Sequence, residues 1–307
     1  MNRTTTRPFR VATGLVLGAA VMLPSACTSS TPAIQAPVHK ARFSQALHDQ
    51  LPQSVLDKGV LRVGTNTAYA PMGLFAPDGR TIIGVDPDLG LEIGRVLGVR
   101  LEFIDTVFAE VLAGVEKGKL DMAMSAVTDT AERAKKVDFV NYFTAGTSIV
   151  VQHGNPAGIT TLNGLCGKVA ASMRGTVQEN LLGRTQKGCG ARPIQVKTFL
   201  ANSDALVELR TGRASAVLAD FPVAVATVND PRTGSNYQFA SSTQFESAPY
   251  GIVVGKHQLG LRGALQGALK ELLRSGVYGD VLSRWHVQAG AIGRSPSTQT
   301  GERPRPR

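Results

Sequence analysis

Cysteine and histidine, the residue types best suited to metal or nucleophilic chemistry, form no short motif in this sequence. The five histidines are scattered without the close spacing that a zinc site requires. Among the three cysteines, Cys27 follows Ser25-Ala26 near the N-terminus, whereas Cys166 and Cys189 lie far downstream. In an oxidising compartment this downstream pair is a disulfide candidate, and two buried free thiols are the alternative. The sequence therefore predicts no metal site.

The sequence also lacks the motifs that mark common enzyme sites. It contains no G-x-S-x-G elbow, no G-x-x-x-x-G-K-[ST] phosphate loop, no G-x-G-x-x-G fingerprint and no H-E-x-x-H pair. Taken alone, Arg133 in Ala-Glu-Arg-Ala-Lys-Lys is typical of a solvated helix face. Asp220 before Phe221-Pro222 could cap a helix, and Thr176 could cap another. By themselves, these residues do not define a function.

The N-terminal stretch has the order of a secretory signal. Three arginines within the first ten residues precede an apolar run from Val11 to Leu23, which predicts a signal peptide over residues 1–26. Cys27 after Ser25-Ala26 resembles a bacterial lipobox, in which the cysteine is acylated, although Pro24 stands where leucine is usual. Ordinary signal-peptidase cleavage before the cysteine is the alternative. We therefore predict an extracytoplasmic protein anchored to the cell membrane by a lipid on Cys27.

Composition and charge describe a globular chain with basic ends. The sequence is 43% hydrophobic and 18% charged, which allows one large or two medium domains with real cores. Its net charge of +10 includes the leader arginines and a C-terminal arginine cluster, and aromatic residues make up only 6%. This distribution argues against a nucleic-acid surface. We predict a flexible lipidated tether over residues 27–52 and a disordered basic tail over residues 289–307.

Short β-branched runs alternate with helical patterns between these ends. Leu61–Gly64, Leu101–Ile104 and Ala216–Leu218 are examples of the predicted strands. A helix is predicted between the first two runs, with Asp86 as its N-cap and Pro87 at its first position. The alternation predicts an α/β fold with mainly parallel sheets, in which ligands bind beyond the carboxyl ends of the strands.

Four segments stand in a fixed order along this folded region. They are Leu61–Pro71, Gly84–Leu89, Lys119–Phe139 and Gly212–Asp220. Together they resemble the extracytoplasmic solute-binding proteins of polar amino-acid ABC transporters, the group called family 3. The resemblance implies a two-lobed periplasmic-binding-protein fold of type II, in which two chain crossings form the hinge.

The resemblance also implies the organisation and the partners of the protein. The first lobe would comprise residues 53–147 plus 251–288, and the second lobe residues 148–250. The protein would bind a small polar amino acid as a monomer, with no cofactor and no catalytic activity. It would deliver this ligand to the permease and ATPase subunits of an ABC importer.

The resemblance further implies a site for the charged ends of an amino acid. Arg133 would hold the α-carboxylate with its planar fork, Thr128 would add a hydroxyl, and Ala126 would contribute backbone groups. The turn Gly175-Thr176 would direct backbone amides and a helix N-terminus to the same carboxylate. Asp220 would accept the α-ammonium from the second lobe. A ligand bound in this way would connect the two lobes and favour closure.

Three more residues would surround the ligand side chain by the same resemblance. Tyr69 and Phe108 stand where relatives place residues against that side chain, although aromatics on loops are also common in cores. Asn66 stands where relatives that bind cationic amino acids often have aspartate. A neutral amide would leave a buried cationic head unpaired, so the sequence favours a glutamine-like ligand.

Two other classes of protein remain as alternatives. A cyclohexadienyl-dehydratase-like enzyme has the same fold and uses a carboxylic acid in its cleft, for which Glu246 or Asp129 would be the candidate. A sensory domain that reports ligand to a kinase usually has a transmembrane segment in the same chain. The complete set of amino-acid-binding residues and the lipid-anchor signal favour a binding protein.

Overall fold

The structure, a computed structural model, describes residues 39–293. The predicted signal peptide, the lipidation site Cys27 and residues 27–38 of the predicted tether lie outside the described residues, as do residues 294–307 of the predicted tail. Between residues 39 and 293, no helix combines the length and the apolar character needed to cross a membrane.

The described residues form strands β1 to β12 and helices α1 to α9. The strands are β1 Val60–Thr65, β2 Ala68–Tyr69, β3 Gly73–Phe75, β4 Ile82–Ile83, β5 Arg100–Asp105, β6 Met122–Ala123, β7 Val137–Gln152, β8 Val169–Met173, β9 Gln195–Phe199, β10 Ala216–Asp220, β11 Tyr237–Phe239 and β12 Phe245–Gly255. The helices are α1 Gln45–His48, α2 Gln53–Lys58, α3 Val85–Leu97, α4 Phe108–Glu116, α5 Val177–Lys187, α6 Asn202–Arg210, α7 Phe221–Val228, α8 Leu259–Ser275 and α9 Val277–Arg284.

One curled sheet runs through both halves of the fold in the order β5-β1-β6-β12-β7-β10-β8-β9, with β11 beside β7. Strand β1 pairs in parallel with β5 and β6, and β8 pairs in parallel with β9 and β10. The long strands β7 and β12 pair antiparallel with each other and join the two parallel groups. The predicted two-lobed α/β class with two hinge crossings is therefore confirmed, and the exact lobe boundaries stay a prediction.

Helices cover the sheet and bury three clusters of apolar side chains. The largest cluster joins α3, α4, α8 and α9 to β1, β6 and the hinge strands, and it includes the fully buried Leu265 and Tyr250. Two smaller clusters form the core of the second lobe. Alternate residues of β7 belong to different clusters, with Ile149 and Val151 in one and Val150 in the other. Since neighbouring side chains of a strand point to opposite faces, both faces of this sheet are covered.

Residues 39–52, predicted as part of a flexible tether, are instead packed on the first lobe. The Ser44 amide donates to the Val96 carbonyl at 2.9 Å, and α1 contacts both α3 and α8. Leu51 is only 4% exposed, and Leu47 packs against the same core. Burial of these leucines offsets the loss of chain entropy, which is why the segment is ordered.

Residues 289–293, predicted as the start of a disordered tail, are also ordered. The Ile292 amide donates to the Tyr278 hydroxyl at 3.0 Å, and Ala291 forms an isolated β-bridge with Phe143 of the hinge strand β7. These hydrogen bonds pair backbone groups that would otherwise be buried without partners. The chain after α9 is therefore attached to the hinge.

Helix α3 begins before the position that the sequence predicts. Gly84, with φ of +138°, is the residue before the helix, so Asp86 is not its N-cap. The first helical hydrogen bond runs from the Asp88 amide to the Gly84 carbonyl at 3.0 Å. Asp86 therefore lies within the first turn of α3, where its side chain is fully buried.

A disulfide joins Cys166 to Cys189, as the sequence predicts. The bond connects the chain just before β8 to the chain just after α5. These two elements flank the turn Gly175-Thr176, so the disulfide fixes the two outer ends of the unit that presents this turn.

Candidate functional site

The structure brings predicted site residues from the two lobes into direct contact. The Tyr69 hydroxyl donates to Asp220 Oδ2 at 2.8 Å and accepts from the Asp220 amide at 3.1 Å. Arg133 Nη2 donates to the Gly175 carbonyl at 2.9 Å. Tyr69 and Arg133 belong to the first lobe, and Asp220 and Gly175 to the second. These residues therefore line one cleft between the lobes.

Arg133 begins a short 3₁₀ turn, and its guanidinium is held on several sides. Nη1 donates to the Thr128 carbonyl at 2.9 Å, and the guanidinium carbon lies 5.6 Å from the centre of the Phe108 ring. Burial lowers the pKa of Arg133, whereas the negative charge of Asp220 raises it. An arginine stays protonated under such shifts, so the cleft contains a partly buried positive charge. This environment differs from the solvated helix face that the local sequence suggests.

The loop from Ser125 to Thr128 follows β6 and supplies the other predicted residues of the first lobe. Ala126 has a left-handed φ of +48°, and its amide donates to Asp86 Oδ2 at 2.8 Å. Thr128 is 6% exposed and forms a backbone bridge with Tyr250 of the hinge strand β12. Bonds to Asp86 on one side and to Tyr250 on the other therefore fix this loop without a ligand.

Asp220 lies at the end of β10 and is 5% exposed. Its Oδ1 accepts a hydrogen bond from Gln178 Nε2 at 2.8 Å, and its Oδ2 accepts one from Tyr69. Burial raises the pKa of Asp220 to about 6, although the hydrogen bonds from Tyr69 and Gln178 and the charge of Arg133 oppose this shift. Asp220 is the N-cap residue of α7, but its side chain makes no capping hydrogen bond, and its carboxylate is bound by Tyr69 and Gln178 instead.

The turn Gly175-Thr176 is placed at the cleft, but its groups are largely used within the second lobe. Thr176 is the N-cap of α5, and its Oγ1 accepts from the Glu179 amide at 3.3 Å. The Gly175 amide, one residue before the N-cap, donates to Glu179 Oε2 at 2.6 Å, so Glu179 bonds to the turn through both its amide and its carboxylate. The Gly175 amide is therefore already paired, whereas the Gly175 carbonyl binds Arg133.

The side chain of Asn66 is used to fix its own loop. Its Nδ2 donates to the Thr106 carbonyl at 3.1 Å, and its Oδ1 accepts from the Ala68 amide at 3.2 Å. Its backbone amide donates to Ser125 Oγ at 3.0 Å. Asn66 thus connects the first lobe's binding loops, and its amide group is not directed freely at a ligand.

Several residues of the site were not predicted from the sequence. Gln178 donates to Thr147 Oγ1 at 3.0 Å as well as to Asp220. The Tyr250 hydroxyl is fully buried and has no hydrogen-bond partner among the described residues. Burial, and next the charge of Asp220, raise its pKa well above the usual value. Gln178 lies two residues after Thr176 and could have been suspected, but no sequence signal marks Thr147 or Tyr250.

The two residues named for an enzyme alternative lie outside this buried cluster. Glu246 is paired with Arg184, and the Glu246 side chain is 52% exposed. Asp129 accepts a hydrogen bond from Asn141 at 3.1 Å in an exposed setting. Neither carboxyl is buried in the cleft beside Asp220 and Tyr69. In the part of the chain that the structure describes, no group of three or more histidine, cysteine or acidic residues could hold a metal ion.

A cavity of about 470 Å³ lies elsewhere, between α7, the hinge strand β7 and the segment that follows α9. Its lining is mainly apolar and contains none of the predicted ligand-binding residues. The acidic side chain at this cavity, Asp230, already accepts hydrogen bonds from the amides of Arg232 and Thr233. Because a zwitterion needs two unlike charges, the cleft between the lobes is the better candidate site.

Two α/β lobes joined by two hinge strands, with an arginine and an aspartate in the cleft, define a type II periplasmic binding protein. The model of the family "Bacterial extracellular solute-binding proteins, family 3" matches residues 61–288. The chain belongs to this family.

Known proteins similar to this chain are named for amino-acid binding. The arginine-binding protein ArgT of Corynebacterium glutamicum is 28% identical over 246 residues, which are 79% of each protein. A solved structure titled as an ancestral arginine-binding protein bound to glutamine is 34% identical, with a TM-score of 0.69, and covers 75% of this chain and 98% of its own. An ancestral amino acid-binding protein, titled as a precursor of cyclohexadienyl dehydratase, is 30% identical with a TM-score of 0.68 over 76% and 98% of the two chains.

Proposed function

We propose that this protein binds a polar amino acid in the cleft between its lobes and delivers it to an ABC importer. The observation that supports this most directly is a pair of opposite charges at the cleft, the partly buried Arg133 from the first lobe and the buried Asp220 from the second. They are close enough for the charge of each to shift the pKa of the other.

The chemistry of a free amino acid matches this pair. Its carboxylate and ammonium are attached to one carbon, and each needs an opposite charge when water is removed. The planar guanidinium of Arg133 is suited to the carboxylate, with Thr128 beside it. Asp220 is suited to the ammonium. The ammonium would replace one of the two donors that now bond to the Asp220 carboxylate, the Tyr69 hydroxyl or the Gln178 side-chain amide.

A neutral polar side chain, such as that of glutamine, is the ligand that we propose. The support is the similarity to an ancestral protein that is titled as bound to glutamine. The Asn66 amide, which is used by its own loop, does not by itself select the ligand. The arginine-binding relatives make arginine the second candidate. The aromatic residues Tyr69 and Phe108 would contact either side chain.

We also propose that the mature protein is extracytoplasmic and attached to a membrane through a lipid on Cys27, either in a periplasm or on the outer face of the cell membrane. The lipobox-like order Ser25-Ala26-Cys27 supports this attachment. The expected result is incorporation of an alkyne-tagged fatty acid in a bacterial host, abolished by Cys27→Ala. Equal labelling of the Cys27→Ala variant would contradict the proposal.

A thermal-shift screen of the twenty common amino acids tests the binding function. A ligand at one hundred times its Kd stabilises the folded protein by roughly 3 kcal/mol, which raises its Tm. Arg133→Ala should abolish the shift, because the carboxylate would lose its bidentate partner in a buried site. Arg100→Ala is the matched control, since Arg100 is 66% exposed on β5.

Two results of these assays would contradict the proposed function. One is a full thermal shift in the Arg133→Ala variant. The other is conversion of prephenate to phenylpyruvate by the wild type, which would favour the dehydratase-like alternative.

A further inference from the structure

Asp86 is a buried acid that the amino-acid site does not use for ligand contact. It lies in the first turn of α3 and is fully buried. Its Oδ2 accepts the Ala126 amide at 2.8 Å, and its Oδ1 accepts the hydroxyl of Tyr142, which is also fully buried. A carboxylate can accept a hydrogen bond at each of its two oxygens. The two donors to Asp86 belong to different elements, because the Ala126 amide lies in the loop after β6 and the Tyr142 hydroxyl on the hinge strand β7.

The loop that Asp86 holds has an unfavourable backbone conformation. Ala126 is not a glycine, yet its φ is +48°, and it is only 3% exposed. Such a conformation persists only when the surrounding contacts impose it. If the carboxylate were absent, the Ala126 amide would be a buried donor without this partner, which is strongly unfavourable. The carboxylate of Asp86 therefore favours this one conformation of the loop over alternatives that expose the amide to water.

The same loop orients the groups that face the cleft. Thr128 lies two residues after Ala126, and its carbonyl accepts from Arg133 Nη1. On the other side, Ser125 Oγ accepts the Asn66 amide. A rotation of the backbone at Ala126 would therefore displace Thr128 and loosen the anchor of Arg133.

We propose that Asp86 is a positioning residue for ligand binding, which holds the loop Ser125–Thr128 in its left-handed conformation and ties it to Tyr142 of the hinge strand. The inference rests on the proposed amino-acid binding function. It assigns Asp86 no contact with the ligand. A residue that only stabilised the fold would affect Tm without changing the affinity of the folded protein, so the two roles can be separated.

The test compares Asp86→Leu with wild type, because leucine has a similar size and no acceptor. In ligand-free protein, hydrogen exchange in a peptide spanning residues 122–129 should become at least about tenfold faster. The Kd for L-glutamine or L-arginine, whichever wild type binds, should rise at least about tenfold by calorimetry. Asp86→Asn should be closer to wild type in both the exchange rate and the Kd. The side-chain oxygen of asparagine can accept from the Ala126 amide, while its side-chain NH2 group donates to the Tyr142 hydroxyl.

Asn155→Ala is the matched control for a lost loop anchor. Asn155 also has a positive φ, of 47°, and its Oδ1 accepts the amide of the buried Ile159 at 3.0 Å, far along the chain in the second lobe. This variant should lower Tm but leave both the exchange in residues 122–129 and the Kd within about twofold of wild type.

Unchanged exchange in Asp86→Leu, or an unchanged Kd despite faster exchange, would overturn the inference. If Asp86→Leu does not fold, the same two measurements on Tyr142→Phe decide, because the carboxylate then loses its anchor to the hinge strand. If wild type binds no amino acid, the proposed function fails, and the exchange measurement alone decides whether Asp86 holds the loop.

Discussion

At the scale of single residues, two buried carboxyl groups have pKa values above the usual range for aspartate. Burial raises the pKa of Asp220 to about 6 and that of Asp86 to about 7. Hydrogen bonds from their neighbours stabilise the charged forms but do not cancel the effect of burial. In the proposed site, the Asp220 carboxylate contacts the ligand ammonium. A proton on this carboxylate therefore competes with binding of the ammonium.

Ligand affinity should therefore fall as the pH decreases through about 6. The ammonium of a bound amino acid favours ionised Asp220, so the pKa of Asp220 is lower in the complex than in the free protein. Free protein then binds more protons than the complex, and binding releases protons. The limiting slope is about tenfold in Kd per pH unit. Calorimetry in buffers of different ionisation enthalpy measures both the affinity and the proton release.

Asp220→Asn provides the comparison for this pH dependence. The variant should bind more weakly at neutral pH and lose most of the change in affinity between about pH 5 and pH 7. Any remaining dependence would come from other groups, of which Asp86 is the buried candidate. An affinity of the wild type that does not vary over this range would contradict the assignment of Asp220 to the ammonium.

At the scale of elements, the unit β8–turn–α5 depends on a close approach between the lobes. Gly175 has φ of +79°, and a Cβ at this position would lie 3.1 Å from the Ala109 Cα of α4. This contact involves backbone on one side, so it cannot be relieved by rotating a side chain. The hydrogen bond from the Gly175 amide to Glu179 fixes the turn, and the Cys166–Cys189 disulfide fixes the outer ends of the unit.

Gly175→Ala should weaken ligand binding through closure. Alanine is unfavourable in the left-handed backbone conformation of this position, so we expect the free energy of unfolding to fall by about 1 kcal/mol. The added Cβ would also crowd α4 where the two lobes meet, so we expect Kd to rise by tenfold or more. Denaturant unfolding and calorimetry measure the two effects. Gly154→Ala is the matched control, because Gly154 has the same φ of +79° and its added Cβ would meet nothing within 4 Å.

The comparison of these two glycine variants separates backbone strain from crowding between the lobes. Both should lose similar stability, but only Gly175→Ala should bind ligand more weakly. Equal Kd values for the two variants would mean that the Gly175–Ala109 approach is not required for binding.

At the scale of the whole molecule, the lobes touch across the cleft as well as along the hinge. Met173 and Ala219 of the second lobe belong to the same apolar cluster as the core of the first lobe. The hydrogen bond of Tyr69 to Asp220 and that of Arg133 to Gly175 also join the lobes. Long β7 and β12 pair with each other, so opening would have to bend or twist these two strands rather than separate them.

Tyr69→Phe should shift the ligand-free protein toward the open arrangement. It removes a cross-cleft hydrogen bond to a charged group, which contributes roughly 1.5–3 kcal/mol. Small-angle X-ray scattering should then give a larger radius of gyration for the ligand-free variant. Tyr237→Phe is the control, since the Tyr237 hydroxyl bonds to Leu206 within the second lobe. Equal radii for the wild type and Tyr69→Phe would show that this bond does not hold the lobes together.

Much of the architecture is encoded locally and was predicted from the sequence. The β-branched runs and helical stripes indicate the α/β class, and four ordered segments indicate the family. The disulfide pair follows from two cysteines left after Cys27 in an oxidising compartment. Residues 39–52 and 289–293 were wrongly predicted as flexible, because their order comes from packing on α3, α8 and β7 rather than from a local pattern.

The sequence by itself determined that Arg133, Thr128 and Asp220 are candidates for one site, since residue type and family order are written in it. Only the tertiary structure decided which of their neighbours are already paired. Asp86 bonds to Ala126 instead of capping α3, Glu179 takes the Gly175 amide, and the Asn66 amide is used by its own loop. The physical reason is that a buried donor or acceptor binds whichever partner the folded chain brings within about 3 Å, and partners such as Asp86 and Ala126 lie far apart in sequence.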